Sequence, residues 1–260
     1  MIESNKKVVK NDPIKKKTSG AKASQNGTKY EIQNWNILKN TTINGKKFNT
    51  QNIEDLAGSS SKSDLECYYN NTKIGIEMKN TIGAEFIQLD IKRENNTWIG
   101  PKLTKKSHPK IVIDRYLDEI NKTKDLYYGS PPKFPFKSRK DFDDWEENFL
   151  KKKKKLGGGS KKDYTWYIND NNFVKNNYRD KGNFYIQIKG YGLYHLGNDI
   201  CNFGVPEFIP GKTKLRLRCK RRGKKGCLPS SLTLSAWIEN LEKSKYSLDN
   251  KDLLPSQLKL

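Results

Sequence analysis

The sequence predicts a mixed α/β core followed by a β-rich basic region, and three observations support this fold class. Between residues 28 and 156, segments with helical periodicity alternate with segments in which apolar and polar residues alternate as in strands. From Asp163 onward the strand-like pattern dominates. With 260 residues, the chain can bury one large core or two smaller ones.

Residues 1–27 precede the predicted core and are expected to form a disordered basic arm. They are polar, basic and nearly free of aromatic side chains, so they bury too little apolar surface to offset the entropy lost on ordering. The start of the chain lacks the apolar stretch of a secretion signal, which predicts an intracellular protein, cytoplasmic or nuclear.

An amphipathic helix is expected to begin at Thr28. Trp35 and Leu38 follow at helical spacing, and Glu31 stands three residues after Thr28, as in a capping box. The sequence then becomes loop-rich up to residue 62.

The stretch SDLECYYNNTKIGIEMK, residues 63–79, predicts a β-hairpin. Apolar and polar residues alternate on both sides of Asn70 and Asn71, which favour a tight turn. Side chains two residues apart point the same way in a strand, so the apolar residues of the second strand are expected to enter the core. Glu77 and Lys79 then share the opposite, outer face.

Three further helices are predicted between residues 80 and 156. The first begins near Ile82 or Gly83 in NTIGAEFIQLDIKREN. The second, in HPKIVIDRYLDEINKTK, continues from residues 111–113, which form either a buried strand or the helix start. The third is RKDFDDWEENFLKKKKK. The flexible residues 157–162 either divide two domains or form a surface loop.

Residues 163–260 are predicted to be β-rich and to bind DNA. YTWYI, GNFYIQIKGYGLYHLG and TKLRLRCKRR alternate as strands, and LTLSAWIENLEKS is predicted to form a short helix. One face of KLRLRCKRR can enter a core while the other offers a row of cations to phosphates, unless it is an edge strand protected by charge. The expected DNA-binding residues are Lys189, Tyr191, Arg216, Arg218, Lys220, Arg221 and Arg222.

The net charge of +22 makes nucleic acid the expected partner. Self-repulsion on this scale opposes compaction unless a polyanion relieves it. An anionic membrane would also accept the charge, but the sequence has no apolar run of 18 residues or more, so no membrane partner is expected.

The side chains of the hairpin predict a metal site that holds magnesium. Asp64 and Glu66 are expected to lie on the same face as Glu77 and Lys79. Close carboxylates raise each other's pKa unless a cation lies between them, and oxygen ligands favour Mg²⁺, or Mn²⁺ in its place. A metal-bound water near Lys79 would then attack a phosphodiester. The alternative is a charged, solvated face of an ordinary hairpin.

Zinc is not indicated. The cysteines include no CxxC pair and the chain has only two histidines, so reduced, buried thiols are the expected state. The cysteines are Cys67, Cys201, Cys219 and Cys227.

Asp64 followed by IEMK, with Glu77 and Lys79, resembles the D…(D/E)xK core of the PD-(D/E)xK nuclease superfamily. Glu31 in the helix before the hairpin and Gln88 in the predicted helix after it extend the resemblance over about residues 28–92. One departure is a serine at position 63, where the family name has proline.

The resemblance implies a restriction-endonuclease-like core at residues 28–156, with a central mixed sheet flanked by helices. It implies that Lys79 orients or activates water, that Glu31 holds a second metal or a metal-bound water, and that Gln88 steadies the site or contacts DNA. The implied metal ligands are Asp64, Glu77, the Met78 carbonyl and Glu31; the implied catalytic residues are Asp64, Glu77, Lys79, Glu31 and Gln88.

The expected function is therefore Mg²⁺-dependent cleavage of double-stranded DNA, with a preference for a specific sequence. A homodimer would follow if both strands of a palindromic site are cut. Two alternatives stay open: a structure-selective repair or recombination nuclease such as a junction resolvase, and a non-catalytic nucleic-acid-binding protein.

Overall fold

The computed structural model describes residues 19–48, 52, 56, 63–95, 97–122, 136–155, 163–219 and 231–260. Its helices are α1 (Ser19–Leu38), α2 (Lys110–Lys122), α3 (Arg139–Lys155) and α4 (Phe173–Asp180). Its strands are β1 (Thr42–Ile43), β2 (Lys46–Lys47), β3 (Leu65–Tyr69), β4 (Thr72–Lys79), β5 (Phe86–Glu94), β6 (Thr97–Ile99), β7 (Tyr164–Ile168), β8 (Asn183–Ile188), β9 (Gly192–His195), β10 (Lys212–Arg218), β11 (Leu232–Glu239) and β12 (Leu258–Lys259).

A four-stranded mixed sheet in the order β3-β4-β8-β9 carries the predicted hairpin. β3 and β4 are antiparallel, β4 and β8 are parallel, and β8 and β9 are antiparallel. Parallel neighbours need a crossover connection, and the chain between β4 and β8 includes α4, which packs against β8. The mixed α/β class predicted from the sequence is confirmed.

A second, antiparallel sheet has the order β6-β5-β11-β10-β7, and a small third sheet has the order β12-β1-β2. Strands from residues 28–156 and from residues 163–260 are hydrogen-bonded to each other in the two larger sheets, through the pairs β4 with β8 and β5 with β11. The two regions therefore form one interleaved unit, and residues 157–162 lie outside the described part of the chain.

Both faces of the mixed sheet are buried. Ile76 of β4 and Tyr185 of β8 belong to one apolar cluster, which also includes residues of α1. Ile186 and Ile188 of β8 face a second cluster, shared with α2, α4 and the five-stranded sheet. β4 is consequently an interior strand, and the polar side chains in its second half are largely removed from bulk water.

The predicted hairpin is confirmed. Its two strands pair with Leu65 opposite Ile76 and Tyr69 opposite Thr72. Asn70 and Asn71 at the turn have φ values of 48° and 63°. Positive φ at both central residues is the geometry of tight hairpin turns, and asparagine tolerates it better than most residues.

The helix predicted to begin at Thr28 starts instead at Ser19. Thr28 lies inside it and its Oγ1 donates a hydrogen bond to the Ser24 carbonyl at 3.4 Å. The prediction of a disordered arm is therefore wrong for residues 19–27. Adding a residue to an existing helix costs little compared with nucleation, so a polar segment can extend a helix that is anchored by packing elsewhere. Residues 1–18 lie outside the described part of the chain.

The first helix predicted after the hairpin is also wrong, because Phe86–Glu94 is strand β5. Leu89 and Ile91 are buried and alternate with more exposed residues, as a strand requires. Phe86 and Ile87 are both buried, and Ile87 has φ of 47°, so the alternation breaks at this point. The resulting apolar spacing resembles that of a helix.

LTLSAWIENLEKS contains strand β11 rather than a helix. Five successive residues from its start, 232–236, are buried because β11 lies in the middle of the five-stranded sheet. A strand buried on both faces loses its alternation and cannot be distinguished from a helix by periodicity. The reverse error concerns α4, a helix that falls within the region predicted as strands.

The other two predicted helices are confirmed as α2 and α3. Residues 111–113 form the first turn of α2, and Tyr116 and Ile120 face the core as expected. Cys67 and Cys201 are buried free thiols, as predicted, and burial raises the pKa of Cys201 to about 12. Among the described helices, none has both the length and the apolar character needed to cross a membrane.

Candidate active site

Three of the predicted catalytic side chains meet where β3 begins and β4 ends. The pairing of Leu65 with Ile76 brings Asp64 beside the last residues of β4. Asp64 Oδ2 accepts a hydrogen bond from the Met78 backbone N–H at 2.8 Å. This contact fixes the Asp64 carboxylate against the strand that carries Glu77 and Lys79.

Glu77 and Lys79 form an ion pair. They lie two residues apart on one side of β4, and Lys79 Nζ is 2.5 Å from Glu77 Oε1. Glu77 is only 3% exposed. The expectation that this face is an outer one is therefore wrong, because α4 and the five-stranded sheet cover it: Lys79 Nζ lies 5.4 Å from the Tyr178 ring centroid and 5.9 Å from that of Phe86.

Tyr178 and Lys181 belong to the site and were missed by the sequence analysis. Lys181 Nζ lies 3.5 Å from Glu77 Oε2 and 5.1 Å from the centroid of the Tyr178 ring, and its side chain is only 5% exposed. Both residues are placed by the end of α4. The arginine and lysine before Gly182, which has φ of +89°, form a helix-stop signal that could have revealed α4.

Glu31 projects from α1, which packs against β4. Burial raises the pKa of Glu31, while Lys79 lowers it and Glu77 raises it. The Asp64 carboxyl also experiences the charge of Glu31. The structure therefore brings Glu31, Asp64, Glu77 and Lys79 into one electrostatic environment, which we call the hairpin site.

Asp64 is the carboxyl group whose ionisation the hairpin site opposes most clearly. Burial, and then repulsion from Glu77, raises its pKa to about 7, although Lys79 and the Met78 N–H act in the opposite direction. A proton therefore stays on Asp64 well above the ordinary range for an aspartate. A cation beside Asp64 would remove this cost.

Glu77 and Lys79 remain charged at neutral pH. Burial raises the pKa of Glu77, but Lys79 and Lys181 outweigh it and bring this pKa below its ordinary value. Burial lowers the pKa of Lys79, but Glu77, and then Tyr178 and Asp64, raise it well above its ordinary value. Lys79 is thus an ammonium group, which can donate hydrogen bonds but cannot accept a proton.

The chemistry of the hairpin site fits a hard cation. Its acidic groups are carboxylates, the type of ligand that hard cations prefer, and Glu77 Oε2 is buried without a hydrogen bond, with Lys181 Nζ 3.5 Å away. Among the described residues, no three His, Cys, Asp or Glu side chains are placed to hold a metal ion together. If an ion binds here, the groups that would hold it are Asp64, Glu77 and the Met78 carbonyl, and Glu31 would act on a metal-bound water.

Gln88 and Glu66, which the sequence analysis placed at or beside the metal site, do not take the expected positions. Gln88 is exposed on β5, opposite Ser235 of β11, and its carbonyl lies 3.1 Å from His108 Nε2. The structure does not place it on a helix beside the hairpin site. Glu66 forms an ion pair with Lys73 at 2.7 Å and is not part of the hairpin site.

The predicted row of cations on β10 has the expected alternation, but acidic residues compensate the charge of its arginines. Leu215 and Leu217 are buried, whereas Arg216 and Arg218 lie on the other face. The arginines form ion pairs with two acidic residues: Arg216 Nη1 lies 3.0 Å and Arg218 Nη2 2.6 Å from Glu85 Oε1, and Arg216 Nε donates to Asp163 Oδ2 at 2.7 Å.

This strand therefore offers little uncompensated charge to a phosphate. Lys220, Arg221 and Arg222 lie outside the described residues.

Lys189 is the predicted DNA-binding residue nearest to the hairpin site. Its backbone N–H donates to the Lys79 carbonyl at 2.8 Å, and its side chain is exposed. Tyr191 is half-buried, and Lys243 Nζ lies 5.8 Å from its ring centroid. Neither the strand-like pattern nor the charge of the sequence indicated that Lys189 would follow the strand next to β4.

No family model, curated protein or solved structure matches this chain.

Proposed function

We propose that this protein is a Mg²⁺-dependent DNA endonuclease with a restriction-endonuclease-like core. One observation carries the proposal: the residues of the D…(D/E)xK pattern meet at one largely enclosed place on the hairpin, and Glu31 from α1 shares their electrostatic environment. An ordinary solvated hairpin would leave these charges in water. Here, Glu77 is buried with its charge balanced by Lys79 and Lys181, and the pKa of Asp64 is raised, which is a cost that functional sites commonly carry.

The topology adds support. The hairpin lies in a mixed sheet with a parallel neighbour, and helices α1 and α4 pack on its strands. This arrangement agrees with the central mixed sheet flanked by helices that the resemblance implies. The high net charge favours a polyanionic substrate.

Each residue of the hairpin site has a role in the proposed reaction. When bound, Mg²⁺ would supply a water of lowered pKa and a positive charge beside the scissile phosphate. Asp64 and Glu77 would hold the ion through their carboxylate oxygens. Lys79, as an ammonium group, donates to a phosphate oxygen or orients the attacking water. Glu31 positions a second water.

Incubation of a supercoiled plasmid with the protein, in Mg²⁺ or in EDTA, tests the proposal. We expect cleavage only in Mg²⁺, no cleavage by Lys79→Ala, and wild-type cleavage by the control Lys73→Ala, which removes an exposed lysine from the same hairpin. Discrete fragments from linear DNA would indicate sequence specificity. Cuts placed symmetrically in the two strands of a palindromic site would favour a homodimer. Cleavage restricted to branched substrates would favour a structure-selective nuclease instead.

A non-catalytic nucleic-acid-binding protein is the second candidate. It is favoured by one observation: Lys79 and Lys181 already compensate Glu77 without a metal. In that case the wild-type protein would bind DNA and leave it intact in Mg²⁺, and Lys79→Ala would bind DNA as the wild type does.

A further inference from the structure

We infer that a cavity beside the hairpin site binds the backbone of the DNA strand next to the scissile phosphate. This inference rests on the proposed function, since it assigns part of the substrate to a second place on the same protein. The cavity has a volume of about 430 Å³. It is lined by Asn26, Lys29, Tyr30, Gln33, Asn80 and Lys189.

The cavity lies at the carboxyl ends of the two parallel strands of the mixed sheet. Asn80 follows the last residue of β4, and Lys189 follows the last residue of β8. Ligands of open α/β sheets bind outside the carboxyl ends of the strands. The hydrogen bond from Lys189 N–H to the Lys79 carbonyl, at 2.8 Å, ties this edge of the cavity to the catalytic strand.

The lining of the cavity suits an anion. It contains two lysines and three side-chain amides but no carboxylate. Neither Lys29 nor Lys189 forms an ion pair with any residue that the structure describes, whereas Arg216 and Arg218 are both paired with acids. The charge of the two cavity lysines is therefore available to a ligand.

The acidic group that is hydrogen-bonded to Tyr30 in the cavity wall is Asp249. Asp249 Oδ2 accepts a hydrogen bond from the Tyr30 hydroxyl at 2.8 Å, and its Oδ1 accepts one from Ser247 Oγ at 2.5 Å. The same tyrosine hydroxyl accepts a hydrogen bond from Gln187 Nε2 at 3.1 Å. These bonds hold the Tyr30 ring in the wall of the cavity, where Lys189 Nζ lies 5.6 Å from the ring centroid.

The size and chemistry of the cavity fit one nucleotide of a strand better than a whole duplex. Pockets for small ligands measure about 300–1,000 Å³. Lysine ammonium groups and amide N–H groups are the usual partners of phosphate oxygens, and they position a strand without reading its sequence. A strand whose phosphate lies between Lys29 and Lys189 would pass Asn80, the residue that follows Lys79 at the end of β4.

The test compares DNA binding by two double variants that lose the same charge. Lys29→Ala/Lys189→Ala removes the cavity lysines, and Lys46→Ala/Lys47→Ala removes two exposed lysines of β2. Affinity for a short labelled DNA duplex is measured by fluorescence anisotropy in EDTA at several salt concentrations. Circular dichroism melts verify that both variants are folded.

We expect the cavity variant to bind at least about fivefold more weakly than the control variant, and the slope of log K against log salt to fall by about 1.8 for two lost phosphate contacts. Equal losses in the two variants would overturn the inference, because they would show a diffuse charge effect.

The binding measurement separates this inference from the proposed function. It needs no cleavage, so a cavity-dependent affinity for DNA that is never cut would support the cavity and contradict the endonuclease. Conversely, wild-type cleavage by Lys29→Ala/Lys189→Ala at subsaturating DNA would overturn the cavity and leave the endonuclease standing.

Discussion

At the scale of single residues, the three carboxyl groups of the hairpin site lie near two lysines, Lys79 of the site and the neighbouring Lys181. Lys79 and Lys181 approach different oxygens of Glu77, which keeps that carboxylate charged in a buried place. Asp64 Oδ2 accepts a hydrogen bond from a backbone N–H, and burial raises the pKa of Asp64 to about 7. The two acids of the motif therefore differ in protonation near neutral pH, and Asp64 is the group that a cation would most affect.

The raised pKa of Asp64 predicts a pH dependence of stability. In EDTA, folded Asp64 keeps its proton up to about pH 7, whereas in the unfolded chain it loses the proton near pH 3.9. Its contribution to stability is present below the unfolded pKa and is lost as the pH rises through the folded pKa. Thermal melts should show the Tm of wild type falling relative to that of Asp64→Asn between about pH 4 and 7.

A Tm difference between these two proteins that stays constant over this pH range would contradict the assigned pKa. Addition of Mg²⁺ to the wild type at pH 7 should raise its Tm, because the ion binds the folded state.

At the scale of elements, the sequence predicts local features better than it predicts the position of a strand within a sheet. The hairpin, its asparagine turn and helices α2 and α3 follow from local periodicity and turn chemistry. The burial of Glu77 does not follow from local periodicity, because it depends on β8 and α4, which lie about a hundred residues further along the chain. β5 and β11 were mistaken for helices because their irregular or two-sided burial hides the period of two.

The site residues divide in the same way. Asp64, Glu77, Lys79 and Glu31 could be predicted because a hairpin and the helix before it place them. Tyr178 and Lys181 could not be predicted, since the alternation of apolar and polar residues after Asp163 indicated only strands. The compensation of Arg216 by Glu85 was hidden for a different reason: charge pairing between strands depends on which residues fold next to each other.

A substitution at Gly75 of β4 is expected to disturb the place where β4 meets the segment before β3 and the end of α4. A Cβ at this position would lie 2.2 Å from Ser63 Oγ and 2.6 Å from the Gly182 carbonyl. Gly75→Ala should therefore move apart the segment that holds Asp64 and the end of α4, lowering the free energy of unfolding by about 1–3 kcal/mol. Urea denaturation measures this loss.

The matched control is Gly83→Ala, where the added Cβ meets only Thr81 Oγ1, at 3.9 Å. We expect this variant to lie within about 0.5 kcal/mol of wild type. A Gly75→Ala protein as stable as the control would show that the junction is looser than described.

At the scale of the whole molecule, the hairpin site depends on both halves of the chain. Residues 163–260 supply β8 beside β4 and β11 beside β5. The same region supplies Lys181 and Lys189, which lie next to Glu77 and Lys79. A catalytic domain followed by a separate DNA-binding domain is therefore not the arrangement seen in the structure.

This interleaving predicts that a fragment of residues 19–156 does not fold. Without β8, one edge of β4 loses its hydrogen bonds and the face that carries Glu77 loses the cover of α4. Circular dichroism and thermal melts of the fragment should show no cooperative transition. A folded fragment with a sharp transition would contradict the single-unit architecture.

The central claim, that the hairpin site cuts DNA, is tested most directly by the rate of single-turnover cleavage at saturating DNA in Mg²⁺. For Asp64→Asn and Lys79→Ala we predict rates at least about 100-fold below wild type. Their DNA affinities should stay within roughly threefold of wild type, since binding depends mainly on phosphate contacts elsewhere. Cleavage by these variants at the wild-type rate, or no cleavage by the wild type, would contradict the claim.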